Sequence, residues 1–372
     1  MDRFIRNLRM NGGTGKTSYS FNSTVQERAI YVTKPLIEEA ALDVFSKFYA
    51  CSATLSPTEN ISDGPNKGLK PGIGIADLGC SSGPNTLLVI SYLLNIIYNK
   101  CREFDSASPE IVMFLNDLPG IDFNTLFKHL ESFSDELKRT KGDGFGPCFA
   151  AGMNTLHFVH SSYSLQWLSQ VPQGIESSNK GNIYISKSSP PFITEAYFKQ
   201  FTSDFKRFLN CRSEELVKGG KIVVTLLGRR NADPTSLECC YFWELLALAL
   251  NDMVSEGIIE EEKLMSFNLP QYMPSNEEVK NEIQCEGSFM INQLEAFQVN
   301  WDGSHEDDSS EIDSYKAASC IRAVSESLLM NHFGIGEEIV DKLFHMYMTI
   351  VANNVPKGKA KFTNIVMSLT KV

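Results

Sequence analysis

Two carboxylates close consecutive short apolar runs, Gly74-Ile-Ala-Asp77 and Phe114-Leu-Asn-Asp117. After the first comes the turn Leu78-Gly-Cys-Ser-Ser-Gly83, then Pro84 and a long apolar helical stretch from Thr86 to Cys101. Glycines at a strand-to-helix turn let a ligand approach the backbone, and a helix start offers oriented N–H groups. The spacing is not G-x-G-x-x-G, because Ser81 holds the place of the second glycine, so a dinucleotide pyrophosphate fits poorly. A smaller ligand with a carboxylate and an adenosine fits better, such as S-adenosylmethionine. Asp77 would then stand near its ammonium end, and Asp117, at the end of the second strand, would meet the ribose hydroxyls.

A second polar cluster follows another apolar run: His157-Phe-Val-His160-Ser-Ser-Tyr163-Ser-Leu-Gln166-Trp167. His157 and His160 fall on opposite sides of a strand, so the pair cannot share one metal ion. Tyr163, Gln166 and Trp167 are read both as core and as one wall of a small aromatic pocket. Asn11-Gly-Gly-Thr-Gly-Lys16-Thr17 imitates the end of a phosphate-binding loop, but Met10 occupies the position where that loop needs its first glycine. It reads as a glycine-rich turn.

The elements that position these groups alternate. Apolar runs at 111–115, 148–151, 155–159, 182–185 and 221–227 are separated by helical patterns, among them Phe198, Phe201, Phe205 and Phe208, which read as core packing. This predicts a mostly parallel sheet covered on both faces. Lys218-Gly219-Gly220 reads as a helix stop before a strand, and the linker-like stretch 52–74 follows a helix over 33–48. Segments 233–279 and 314–353 read as helical, and 288–300 and 362–369 as late strands. The run 304–313 is acidic and reads as a solvated loop.

The chain has 372 residues, 42% of them hydrophobic, which excludes disorder as the main state. A net charge of −11 disfavours nucleic acid and anionic membranes as partners. The nine cysteines are scattered and never spaced C-x-x-C. With no visible signal segment or membrane span, this predicts a soluble protein of the cytoplasm with reduced thiols.

Seven segments occur in an order that resembles the plant SABATH methyltransferases. They are Met10-Asn-Gly-Gly13 with Thr17-Ser-Tyr19; Asn22-Ser-x-x-Gln26; Ala76 through Thr86; Phe114-Leu-Asn-Asp117-Leu-Pro119 with Asp122-Phe-Asn124; His160 through Pro172; Asn179-Lys-Gly181; and Ser266-Phe-Asn-Leu-Pro270. The resemblance implies an α/β fold, a Rossmann-like methyltransferase sheet with an α-helical cap, usually homodimeric. Its divisions would be 1–230 as the cofactor-binding core, 231–355 as the cap with a core strand near 288–300, and 356–372 as a last core strand. Tyr19, Cys80, Asn85, Asp117 and Leu118 would contact S-adenosylmethionine, alongside Asp77. Gln26 and Trp167 would hold the carboxylate of an acceptor, with Tyr163 and Gln166 lining its pocket. A magnesium site seen in some members maps to Asn179, Phe267 and Asn268, Phe267 offering only its carbonyl.

Two departures stand out. The family loop carrying an adenine-contacting Ser-Phe pair has no counterpart between Gly152 and Met153, and the resemblance favours a mobile segment there over a deletion. Met265 stands where the family often has Asp, which weakens the magnesium site. The expected function is methyl-ester formation on a small apolar or aromatic carboxylic acid (salicylate, benzoate or jasmonate type). The alternatives are N-methylation of a xanthine-type purine and silent binding of a small acid.

Overall fold

The computed structural model describes residues 8–50, 72–106, 108–141, 148–149, 156–176, 178–305, 312–355 and 360–372. Among them run strands β1 Ile73–Leu78, β2 Ile111–Asn116, β3 Cys148–Phe149, β4 Leu156–Ser162, β5 Leu216–Leu227, β6 Phe289–Asn300 and β7 Lys361–Lys371. The helices are α1 Tyr19–Asn22, α2 Thr24–Phe45, α3 Asn85–Glu103, α4 Phe123–Lys141, α5 Pro191–Glu215, α6 Leu237–Ser255, α7 Glu261–Ser266, α8 Asn276–Glu286, α9 Ser314–Phe333 and α10 Glu337–Asn354. The sheet order is β3-β2-β1-β4-β5-β7-β6. The first five strands pair in parallel, and β7 lies antiparallel between β5 and β6.

β1 and β5 are buried almost throughout, and β5 is mostly apolar from Ile222 on, because both faces are covered, as parallel strands with crossover helices require. Side chains alternate between two cores. Ile75 and Val223 join α2 and α3 (Ile37, Phe45, Ile90, Leu93), whereas Ala76 and Val224 join the opposite core with Phe201 and Phe205 of α5. The phenylalanine stripe of α5 is therefore core, except that Phe208 also reaches the cavity described below.

Four details differ from the sequence reading. α2 begins at Thr24 and passes through Pro35, because the buried stripe Val25, Ala29, Ile30, Thr33 extends the packed face toward its start. Gln26 is thereby set on a helix. The run Asn182–Ile185 is no strand: its backbone is paired by Leu269 N–H, which donates to Ile183 O at 2.8 Å, and by the Asn179 amide, which donates to Tyr184 O at 3.0 Å. Lys218-Gly219-Gly220 lies inside β5, where the β4 ladder passes from Leu216 to Lys221 and Gly219 takes φ +80. Segment 233–279 divides into α6, α7 and the start of α8, with residues 267–275 extended between the last two.

Most of the linker-like stretch (51–71), part of the acidic run (306–311) and the Gly152–Met153 junction lie outside the described residues.

Candidate active site

Leu78, Asn116, Ser162 and Leu227 are the last residues of four parallel strands, and all four line one cavity of about 520 Å³. The carboxyl edge of a parallel sheet is where open α/β folds bind ligands, and the volume falls within the ~300–1,000 Å³ typical of small-molecule sites. The N-terminal segment contributes Met10 and Tyr19, α2 contributes Gln26, and α9 contributes Cys320, Ile321 and Val324. A second cavity of about 20 Å³ shares Tyr19, Gln26, Gly79 and Ser162 with the first and is otherwise walled by Asp77, Cys80, Asn85 and His160, among others.

The turn after β1 is wound tightly against β2. Gly79 has φ +83, and a Cβ there would lie 2.5 Å from Ser164 Cβ, so only glycine fits. Its N–H donates to Asn116 O at 2.8 Å, and Ser81 N–H donates to Asp117 Oδ2 at 2.7 Å. Leu118 N–H donates to Asp117 Oδ1 at 2.7 Å. Each Asp117 oxygen thus keeps acceptor capacity toward the cavity it lines. Burial pushes this carboxyl above the usual aspartate range, against the lowering effect of the two N–H groups.

Asp77 is differently placed. Its Oδ1 meets His160 Nδ1 at 2.8 Å, its Oδ2 accepts the Thr86 hydroxyl, and it lines the small cavity rather than the large one. Cys80 and Asn85 share that placement, with Asn85 Nδ2 donating to Ser23 O at 3.2 Å. Tyr19 and Gln26 border both spaces, while Leu118, Tyr163, Gln166 and Trp167 border the large one.

Tyr163 takes φ +59, and its hydroxyl donates to Asn364 of β7. Gln166 is buried, with Nε2 donating to Tyr163 O at 2.8 Å. Trp167 forms a bridge with Gln271, and Gln271 Oε1 accepts Trp243 Nε1–H at 2.8 Å. Gln271 and Trp243 both line the cavity, and neither was singled out from the sequence, because residues 267–275 reach it only through tertiary pairing such as Leu168 N–H to Pro270 O at 2.7 Å. Burial raises the Tyr19 and Tyr163 phenols and pushes the Cys320 thiol up to about 12, so these cavity groups stay protonated near neutrality.

Asn179 and Asn268 are buried together, but Asn268 Oδ1 accepts Asn179 Nδ2–H at 3.1 Å and Asn179 Oδ1 accepts Ser189 Oγ–H at 2.6 Å. With both amide oxygens engaged by protein donors and Phe267 offering only a carbonyl, this set does not fit magnesium, which demands several free oxygen ligands. Among the described residues, no group of three or more His, Cys, Asp or Glu gathers as metal ligands would.

Residues 5–372 match a family described as SAM dependent carboxyl methyltransferase. The chain is 47% identical to a benzoic acid/salicylic acid carboxyl methyltransferase of Petunia hybrida, over 98% of both chains. It is 44% identical to a salicylate carboxymethyltransferase of Clarkia breweri, again over 98% of each, and 41% identical to a 3,7-dimethylxanthine N-methyltransferase of Camellia sinensis var. assamica, over 98% of this chain and 96% of that one. Among solved structures, loganic acid methyltransferase with SAH superposes with a TM-score of 0.79 at 29% identity, covering 97% of this chain and 98% of that one.

Proposed function

Because the chain belongs to the SAM dependent carboxyl methyltransferases, the SABATH family, we propose that it forms the methyl ester of a small apolar or aromatic carboxylic acid of the salicylate, benzoate or jasmonate type. The observation that carries this reading is that one cavity is lined both by Asp117 and by Gln26, Tyr163, Gln166 and Trp167. Its other walls include Phe242, Trp243, Ile321, Val324 and Phe362, which suit an apolar acid body.

S-adenosylmethionine, when bound, supplies a methyl group made electrophilic by its sulfonium. The residues present fit it: Asp117 retains acceptor sites for ribose hydroxyls, and the Gly79–Ser81 turn leaves backbone close to the cavity. In this reading Gln26 and Trp167 donate N–H groups to the acceptor carboxylate. Leu118 and Tyr19 contact the cofactor. An acid with pKa near 4 is already ionised at neutral pH, so the chain needs no general base. Its contribution is to hold the attacking oxygen in line and exclude water, an effect of roughly 7–11 kcal/mol when the geometry is good.

We extend the proposal to a cytoplasmic homodimer. Its supports are the family resemblance, the adjacent thiols Cys239 and Cys240 of α6, and the lack, among the described residues, of any helix long and apolar enough to cross a membrane. Sedimentation of the purified chain tests the dimer.

Incubation with labelled S-adenosylmethionine and a panel of benzoate, salicylate, jasmonate, indole-acetate and xanthine acceptors tests the substrate. Label in an alkali-labile ester supports the proposal. Label found only on a xanthine nitrogen overturns it in favour of the N-methylating alternative.

A further inference from the structure

Three buried polar atoms without a partner in the protein belong to residues of one wall: Gln26 Oε1, His160 Nε2 and Ser162 Oγ. All three residues line the small cavity of about 20 Å³. Buried polar atoms are almost always paired, so three unmet ones around a single void call for an occupant. A water needs roughly 10–15 Å³ of such space and two to four polar partners.

The hydrogen-bond roles fit one water. His160 Nδ1 faces the Asp77 carboxylate at 2.8 Å, and Asp77 has its other oxygen on Thr86, so the proton of a neutral ring lies on Nδ1 and Nε2 accepts. Gln26 Oε1 also accepts, whereas Ser162 Oγ can donate. A water gives one O–H to Nε2, the other to Oε1, and takes the serine proton on a lone pair. No atom is left over.

We propose that the small cavity is a site for one water molecule, held by Gln26, His160 and Ser162, and that this water orients the Gln26 amide. With Oε1 engaged by the water, Nε2 is turned to the large cavity, which Gln26 also lines and where the Cys320 side chain is its neighbour. An amide turned by half a rotation would present oxygen to an anionic acceptor and repel it. His160 and Ser162 are thus positioning residues. This consequence rests on the carboxylate-holding role proposed for Gln26; the water site itself does not.

A crystal structure of the wild-type protein with S-adenosylhomocysteine, at a resolution that shows ordered waters, tests the site. A single isolated peak within hydrogen-bond distance of all three atoms is expected. An empty cavity overturns the proposal, and so does a cofactor ammonium inserted there. Kinetics test the orienting role: Ser162→Ala and His160→Gln should each raise the acceptor KM about two- to ten-fold, the size of one net hydrogen bond, with kcat and calorimetric cofactor affinity unchanged. His160 lines only the small cavity, so an effect there cannot come from lost contact with the acceptor. An acceptor KM that stays at the wild-type value in both variants, or a shift of cofactor affinity instead, overturns that role. If wild type esterifies no acid, the functional reading fails while the crystallographic result still decides the water.

Discussion

Asp77 and His160 are register partners across the β1–β4 ladder, and their side chains meet at 2.8 Å. Thr86, near the start of α3, occupies the other carboxylate oxygen. This acid at a strand end thus ties two strands and a helix together. Its counterpart just past β2, Asp117, bonds backbone N–H groups and keeps lone pairs toward the cavity. The two acids read alike in sequence but border different spaces: Asp77 lines the small cavity, and Asp117 the large one.

Asp117→Ala should weaken S-adenosylhomocysteine binding by about 1.5–3 kcal/mol, the scale of hydrogen bonds to a charged group. Titration calorimetry on a variant with native circular dichroism checks this. Unchanged affinity would remove Asp117 from the cofactor site.

Gln26→Leu is one atom shorter but still fills much of the volume and donates nothing, so kcat/KM for the acid should fall by roughly ten- to hundred-fold while cofactor affinity holds. Wild-type ester formation should also vary little from about pH 6 to 9, since the carboxylate is charged throughout. A rate that climbs steeply over that range would mean that a proton is being removed and that the carboxylate is not the nucleophile.

Gly79→Ala forces a side chain onto φ +83 and against Ser164 Cβ at 2.5 Å. Strain and overpacking should each cost about 1–3 kcal/mol in denaturant unfolding. Adding Ser164→Gly should recover the packing share and leave the backbone share. No recovery would place the damage elsewhere.

Asp122 fastens the N-terminal segment, accepting Gly13 N–H at 2.8 Å and the Thr125 hydroxyl at 2.6 Å on Oδ2, while Oδ1 accepts Thr125 N–H at 3.0 Å at the start of α4. The Thr125 hydroxyl, then the Gly13 and Thr125 N–H groups, hold its carboxyl below the usual range. A depressed folded-state pKa stabilises above the unfolded value and loses that contribution as pH falls through the folded one. Asp122→Ala should therefore lower stability by about 0.5–2 kcal/mol at pH 7, and the difference from wild type should shrink below about pH 4. Thermal melts across pH check both halves.

What could be read from the sequence was local. Asp117, Tyr163, Gln166 and Trp167 follow short apolar runs that carry them to the cavity edge, whereas Gln26, on the unforeseen start of α2, was legible only through the family resemblance. The Trp243 to Gln271 bond at 2.8 Å was not legible, because it joins a helix to an extended segment that gains its shape only beside Gln166–Leu168. Asn182–Ile185 misled for a related reason. Three apolar residues in a row, Ile183 to Ile185, look like a strand, but the partners in this run are a side-chain amide and a loop N–H. Lys218-Gly219-Gly220 reads as a helix stop because paired glycines favour one, and Gly219 does take φ +80, yet the strand continues through it.

β7 fills the slot between β5 and β6, and among the described residues β6 has no other neighbour in the sheet. On the ribosome, β5 and β6 therefore emerge long before the strand that joins them. Until residues 361–371 have left the exit tunnel, β5 keeps a bare edge and β6 has nowhere to dock, a state open to aggregation and to capture by chaperones. Tyr163 also waits for Asn364, its hydroxyl acceptor. Competence should thus arrive in one step, when β7 emerges, rather than accumulate with chain length. Protease probing of arrested nascent chains should show β5 protected only once β7 is out, and early protection would mean that the parallel half of the sheet stands without it.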